Sequence, residues 1–96
     1  MAQLIAIAAS QAGPAHAFMI GEALQAAATR LGHQMKLQVV SRLGTQGGYT
    51  PQDLQAAQAV IVAADMAVDR SGLPADRVLE TSPDAVFKDP AEVVRP

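Results

Sequence analysis

The sequence predicts an α/β fold, a small four-stranded parallel sheet with flanking helices, and three observations carry that reading. Two short runs, Gln3 to Ala9 and Ala59 to Ala64, are almost wholly apolar, as strands covered on both faces are. A long stretch of helical period, Ala15 to Leu31, lies between them. Three cap-then-proline pairs, Thr50-Pro51, Ser82-Pro83 and Asp89-Pro90, mark further helix starts. Strands alternating with helices imply right-handed crossovers, a parallel sheet, and ligand positions outside the strand C-termini.

The elements follow in order. Gln3 to Ala9 holds Leu4, Ile5, Ala6, Ile7 and Ala8 in succession and is expected to be the central strand. Ser10 to Met19, SQAGPAHAFM, then form a strand-to-helix turn around Gly13 and Pro14. The helix from Ala15 to Leu31 sets Ile20, Leu24, Ala27 and Leu31 on one side and Glu22, Gln25 and Thr29 on the other, and Gly32 ends it. Ala23, Ala27 and Ala28 are short enough to let this helix lie close to a sheet. Met35 to Ser41 alternates, with Leu37 and Val39 against Lys36 and Gln38, as on a partly solvated edge strand. Arg42 to Tyr49, with Gly44, Gly47 and Gly48, reads as a loop, and a short helix follows to about Gln58.

The strand Ala59 to Ala64 carries Asp65 at its C-terminal end. Met66 to Asp76 is loop-like around Gly72 and Pro74, and Arg77 to Thr81 supplies the fourth strand through Val78 and Leu79. One or two short helices finish the chain, and the tail, from about Val93 through Arg95-Pro96, reads as the start of a linker.

Composition narrows the function. The chain has 96 residues, half of them apolar, which suits one domain spanning 1–96. A formal charge of −2, dispersed lysines and arginines, two phenylalanines and one tyrosine offer neither a basic face nor a stacking platform for nucleic acid. There is no cysteine, so disulfides and thiolate metal sites are excluded, which is compatible with a cytoplasmic location. No apolar run approaches the roughly 20 residues of a membrane span. The start, MAQLIAIAAS, lacks the basic segment of a signal sequence and reads as a buried strand.

At the start of the long helix, N–H groups without intrahelical partners and a macrodipole of about half a charge form an anion site. Gly13 permits close approach of backbone to ligand and Pro14 presets the helix start. A plain βα connection would use the same residues, so this segment alone leaves both readings open.

The longer pattern resembles a known family. Residues 7 to 24, IAASQAGPAHAFMIGEAL, are similar to the active-site segment of the fructose-type IIB domain of the bacterial sugar phosphotransferase system (PTS), approximately CPTGxAHTxMAAEAL. Gly13, Ala15, His16, Phe18, Met19, Glu22, Ala23 and Leu24 fit it, and the likeness continues through Gly44, Thr50, Leu54 to Asp65 and Val68-Asp69, to roughly Leu79. The resemblance implies a Rossmann-like, IIB-type α/β fold. It implies a turn, here Gln11, Ala12, Gly13, Pro14, Ala15 and His16, that cradles a phosphate through its free backbone N–H groups, and a cysteine that takes a phosphoryl group from the IIA partner and passes it to sugar held by the membrane IIC domain.

Here Ser10 stands at the cysteine position, Gln11 at the proline, and Ala12 and Ala17 at the two threonines. Ala57-Gln58 and Gly72-Leu73 depart from the family's Ala-Asp and Arg-Phe. A cysteine at a helix N-terminus becomes a reactive thiolate. A serine hydroxyl needs an adjacent general base, and the dipole alone would not activate Ser10. The resemblance is therefore to the cysteine-lacking IIB-like duplicate of a fructose permease, which implies docking of the IIA donor, through surface that includes Phe18 and Met19, without relay. An active IIB domain and a IIC domain of the same permease are the further partners implied, with no cofactor. Two alternatives remain open: phosphoryl transfer through Ser10 or His16, and a small anion- or nucleotide-binding domain.

His16 is either a phosphate or partner contact or a capping or surface histidine, and a helix N-terminus favours its neutral form. His33, after Gly32, is expected to be solvent-exposed, and two histidines so far apart give no metal site. Asp65 and Asp69 could pair for acid–base work or magnesium, but loop capping is preferred because spacing ties no other acidic group to them. Arg70 could serve a bound anion, though a solvated loop role is preferred, and Tyr49 reads as a loop residue that could touch a partner.

Overall fold

The computed structural model describes residues 2–94. Their order is β1 (Gln3–Ala9), α1 (Pro14–Arg30), β2 (Gln34–Ser41), β3 (Gly44–Gly47), α2 (Pro51–Ala56), β4 (Ala59–Ala64), a 3-10 turn (Ala75–Arg77), β5 (Val78–Thr81), α3 (Pro83–Lys88) and α4 (Pro90–Val94). The sheet order is β3-β2-β1-β4-β5, with β1 in the centre. β1 pairs in parallel with β2 and β4, and β4 in parallel with β5.

Side chains leave a strand on alternate faces, and the two faces of β1 are packed differently. Leu4, Ala6 and Ala8 face a core with Ile20, Leu24, Ala27 and Ala28 of α1, Val86 of α3 and Val94 of α4. Ile5 and Ile7 face the other way, into a core with Val60, Val62 and Ala57 that Tyr49, Leu54, Val68 and Leu73 cover. Small residues therefore line the sheet as well as the helix where α1 packs. Gly21 extends this: it is buried, and a Cβ there would stand 2.7 Å from Leu37 Cδ2 on β2.

The sheet has five strands, one more than expected. The extra strand is β3, which pairs antiparallel with β2 from Ser41↔Gly44 to Gln38↔Gly47 and takes over the edge. Its sequence, GTQG, is exposed throughout, so no hydrophobic alternation announces it; the open edge of β2 recruits it through backbone hydrogen bonds. At Gly47 the backbone has φ 72° and a Cβ would lie 2.5 Å from the Leu37 carbonyl oxygen, so only glycine fits.

Boundaries shift modestly. α1 begins at Pro14 and ends at Arg30, which leaves Leu31 as a C-cap with 37% exposure instead of a member of the apolar face. α2 stops at Ala56, because Ala57 turns to extended backbone before β4. The fourth expected strand starts at Val78, with Arg77 in the preceding 3-10 turn. Both Ser82-Pro83 and Asp89-Pro90 open short helices, and Val94 of the second is buried. Val93 and Val94 thus belong to α4, and Arg95-Pro96, read as the start of a linker, lies outside the described residues.

Candidate functional site

The site is built where β1 stops. Ser10 N donates to the Val40 carbonyl of β2 at 3.2 Å, and Asp65 N, just past β4, donates to the Ala9 carbonyl at 3.2 Å. The β2-β1-β4 order thus brings the ends of three strands together beside the start of α1, the crevice in which parallel α/β sheets hold ligands. Gly13 turns the chain into the helix with φ 126°, ψ 173°, a region closed to residues with a Cβ, and Pro14 takes the first helical position. No side chain caps this helix, and its backbone ladder opens with Ala17 N to Gly13 O at 3.1 Å.

Ser10 is fully buried. Its Oγ accepts a hydrogen bond from Ala12 N at 3.1 Å, lies 2.6 Å from His16 Nδ1, and donates to Asp65 Oδ2 at 3.5 Å. Asp65 in turn accepts from Gln11 N through Oδ1 at 2.9 Å, while Gln11 Nε2 donates to the Asp65 backbone carbonyl at 3.3 Å. The hydroxyl can hold two acceptor contacts and one donor contact, so three neighbours fill its capacity when His16 carries its proton on Nδ1.

The structure supplies what the sequence left missing, groups beside Ser10 that can take its proton, Asp65 Oδ2 and, in the tautomer that leaves Nδ1 bare, His16, yet it also buries the hydroxyl. Asp65 is the participant that sequence reasoning separated from the turn. Its signal was its place at the C-terminal end of an apolar strand; that β4 lies beside β1 only pairing decides.

Around this network the surface is apolar. The His16 ring stands 5.7 Å from the Phe87 ring of α3, tilted by 55°. Phe87 is 43% exposed, and Phe18 and Met19 on α1 are 48% and 56% exposed. On the other flank, Pro14 shares a shallow cleft with Ser41, Leu43 and Thr45 of the β2–β3 hairpin, whose Leu43 is 84% exposed.

The remaining candidates have local roles. Asp69 accepts from Ser71 N at 2.9 Å; hydrogen bonding from the Ser71 side chain and then from its backbone N–H holds the carboxyl below the usual range, and it does not pair with Asp65. Arg70, exposed in a loop as expected, binds Glu80 through two contacts of 2.5 and 2.6 Å and donates to the Val68 carbonyl at 2.7 Å. That hydrogen bonding raises the Arg70 pKa and lowers that of Glu80. Tyr49 packs against the second core. His33 is half-buried, not exposed: its Nδ1 accepts from Ala2 N at 3.1 Å, fastening the α1–β2 turn to the start of β1. Among the described residues no group of three or more His, Cys, Asp or Glu is placed to hold a metal ion, and no helix is long and apolar enough to cross a membrane.

This fold and turn have counterparts among known proteins. A family model described as PTS system fructose specific EIIB'BC N-terminal matches residues 1–95. The chain is 38% identical over 90 residues to a PTS system fructose-specific EIIB'BC component of Vibrio cholerae, covering 94% of this chain and 16% of that protein. It is 33% identical over 92 residues to a fructose-specific EIIABC component of Bacillus subtilis, covering 96% of this chain and 14% of that protein. The chain therefore spans about one sixth of the length of these curated relatives. The solution structure of an Enzyme IIB subunit of a PTS system from Escherichia coli K12 superposes with a TM-score of 0.88 at 28% identity, covering 98% of this chain and 88% of that one. A mostly parallel sheet, a turn at the end of its central strand, no cysteine and a family match along nearly the whole length lead to one conclusion: this chain belongs to the family of fructose-specific PTS EIIB'BC N-terminal domains.

Proposed function

We propose that this domain serves a fructose-specific PTS permease by docking the IIA phosphoryl donor without carrying the phosphoryl group itself. The observation that supports this reading most directly is Ser10. At the position of the family cysteine it is fully buried and its Oγ is bound on three sides, while Phe18 and Met19 beside it are exposed. An alcohol is a weak nucleophile without activation, and here the hydroxyl is also buried. The docking face comprises the turn, Phe18, Met19 and the flanking Phe87 and Leu43, a small apolar surface suited to a transient encounter. Gln11, Ala12, Gly13, Pro14, Ala15 and His16 keep the shape of a phosphate cradle. The domain works on the cytoplasmic side of the membrane, attached to an active IIB domain and the IIC domain of the same permease.

Titration of a cognate, unphosphorylated IIA protein into the labelled domain tests docking. The expected result is selective shifts of the Ser10 to Met19 amides; no shift on saturation would end the proposal. A second reading is favoured by the 2.6 Å contact of Ser10 Oγ with His16 Nδ1, a base where a nucleophile would need one. It predicts that phosphorylated IIA adds one phosphoryl group to Ser10 or His16, which intact mass reads directly. The docking reading predicts no gain.

A further inference from the structure

Where the family pattern has a proline, which has no N–H to give, this chain has Gln11, and that residue is used twice. Its backbone N–H binds Asp65 Oδ1 at 2.9 Å and its side-chain amide binds the Asp65 carbonyl at 3.3 Å. The second amide of the turn, Ala12 N, is taken by Ser10 Oγ at 3.1 Å, and that hydroxyl is within 3.5 Å of Asp65 Oδ2. Among the described residues Asp65 has no lysine or arginine partner. Its carboxylate is met by the Gln11 N–H, one of the turn groups that would hold a bound anion.

We infer that Asp65 is a built-in anion of this turn, latched by Gln11, which closes the Gln11 amide to phosphate beside an Ala12 amide already held by Ser10 Oγ, and keeps the turn in its docking shape with no ligand bound. A phosphate entering there would have to displace a tethered carboxylate and approach it against like charge. This accounts for a IIB-type turn that presents its shape to a partner yet does not compete for the phosphoryl group. The inference rests on reading the turn as an anion cradle; it does not depend on IIA docking.

Inorganic phosphate is the probe. In the unaltered domain the Gln11 and Ala12 amide signals are expected not to respond in a saturable way. Asp65→Ala removes the resident charge, and Gln11→Pro removes both latch donors while leaving Asp65 in place. Each should make the neighbouring Ala12 amide signal respond saturably, with affinity raised about tenfold or more, as expected when the carboxylate held over the turn is removed or freed to move away. Gln11→Pro leaves the core untouched, so it decides the matter even if Asp65→Ala fails to fold. The inference is overturned if the unaltered domain binds phosphate at Gln11 and Ala12 as tightly as Gln11→Pro, or if that variant gains no binding. IIA titration reports separately at Phe18 and Met19, so docking can fail while the latch stands, and the reverse.

Discussion

The first two helices start in the same manner and are held in opposite ways. Each has proline in its first turn. α2 is closed by a full capping box, with Asp53 N donating to Thr50 Oγ1 at 3.0 Å and Thr50 N donating to Asp53 Oδ2 at 2.9 Å, yet none of its six residues is buried. α1 has no side-chain cap at all, but it buries Ala17, Ile20, Gly21, Leu24, Ala27 and Ala28. A six-residue helix without a buried face depends on its cap, because isolated short helices are marginal in water. A long helix anchored against a sheet can leave its first N–H groups uncapped, and here those groups point into the candidate site. Stability is supplied along the length of α1, so its start is available for function.

That contrast can be broken at its strongest point first. Leu24→Ala removes a fully buried side chain from the α1 core and should cost about 2–5 kcal/mol, read as loss of global stability in a denaturant titration. Gly13→Ala should cost about 1–3 kcal/mol through backbone strain alone, since a Cβ at this position meets nothing within 4 Å. The same variant should displace the amide signals of Ala12 and His16, which a cost confined to packing would leave in place.

Thr50→Ala tests the other side of the comparison. It should cost about 1 kcal/mol and speed hydrogen exchange in α2, with the α1 amides unchanged. If α1 loosened as well, the two helix starts would be coupled and the contrast drawn above would fail.

The smallest effect is that of pH on the capping box. The hydrogen bond from the Thr50 backbone lowers the Asp53 pKa below its ordinary 3.8. A group whose folded pKa is depressed adds stability that is present above the unfolded value and lost as pH falls through the folded one. The Thr50 amide shift should therefore titrate with a midpoint below 3.8, and a midpoint at or above that value would mean the box contributes nothing.

Much of the fold was legible because it depends on short-range pattern. The apolar runs of β1 and β4, the period of α1 and the Thr50 and Ser82 caps are local features, and each appears within a residue or two of where it was expected. β3 was not legible, since an exposed GTQG segment becomes a strand only by meeting the free edge of β2. Arg70 is the solvated loop residue expected, but its partner was not legible for a related reason: Glu80 is on a strand ten residues away, and spacing alone does not bring them together.

The candidate site divides along the same line. Ser10, Gly13, Pro14 and His16 lie within one turn, so the sequence by itself determined the turn, the start of α1 and the absence of a thiol nucleophile. The tertiary structure decided what the turn does with its groups. Asp65, 55 residues from Ser10, reaches Ser10 and Gln11 only because β4 pairs beside β1, and His16 closes on Ser10 only because Gly13 bends the chain into α1. Hydrogen bonds of this kind act over about 3 Å, so their existence follows from which strands become neighbours and not from which residues are present.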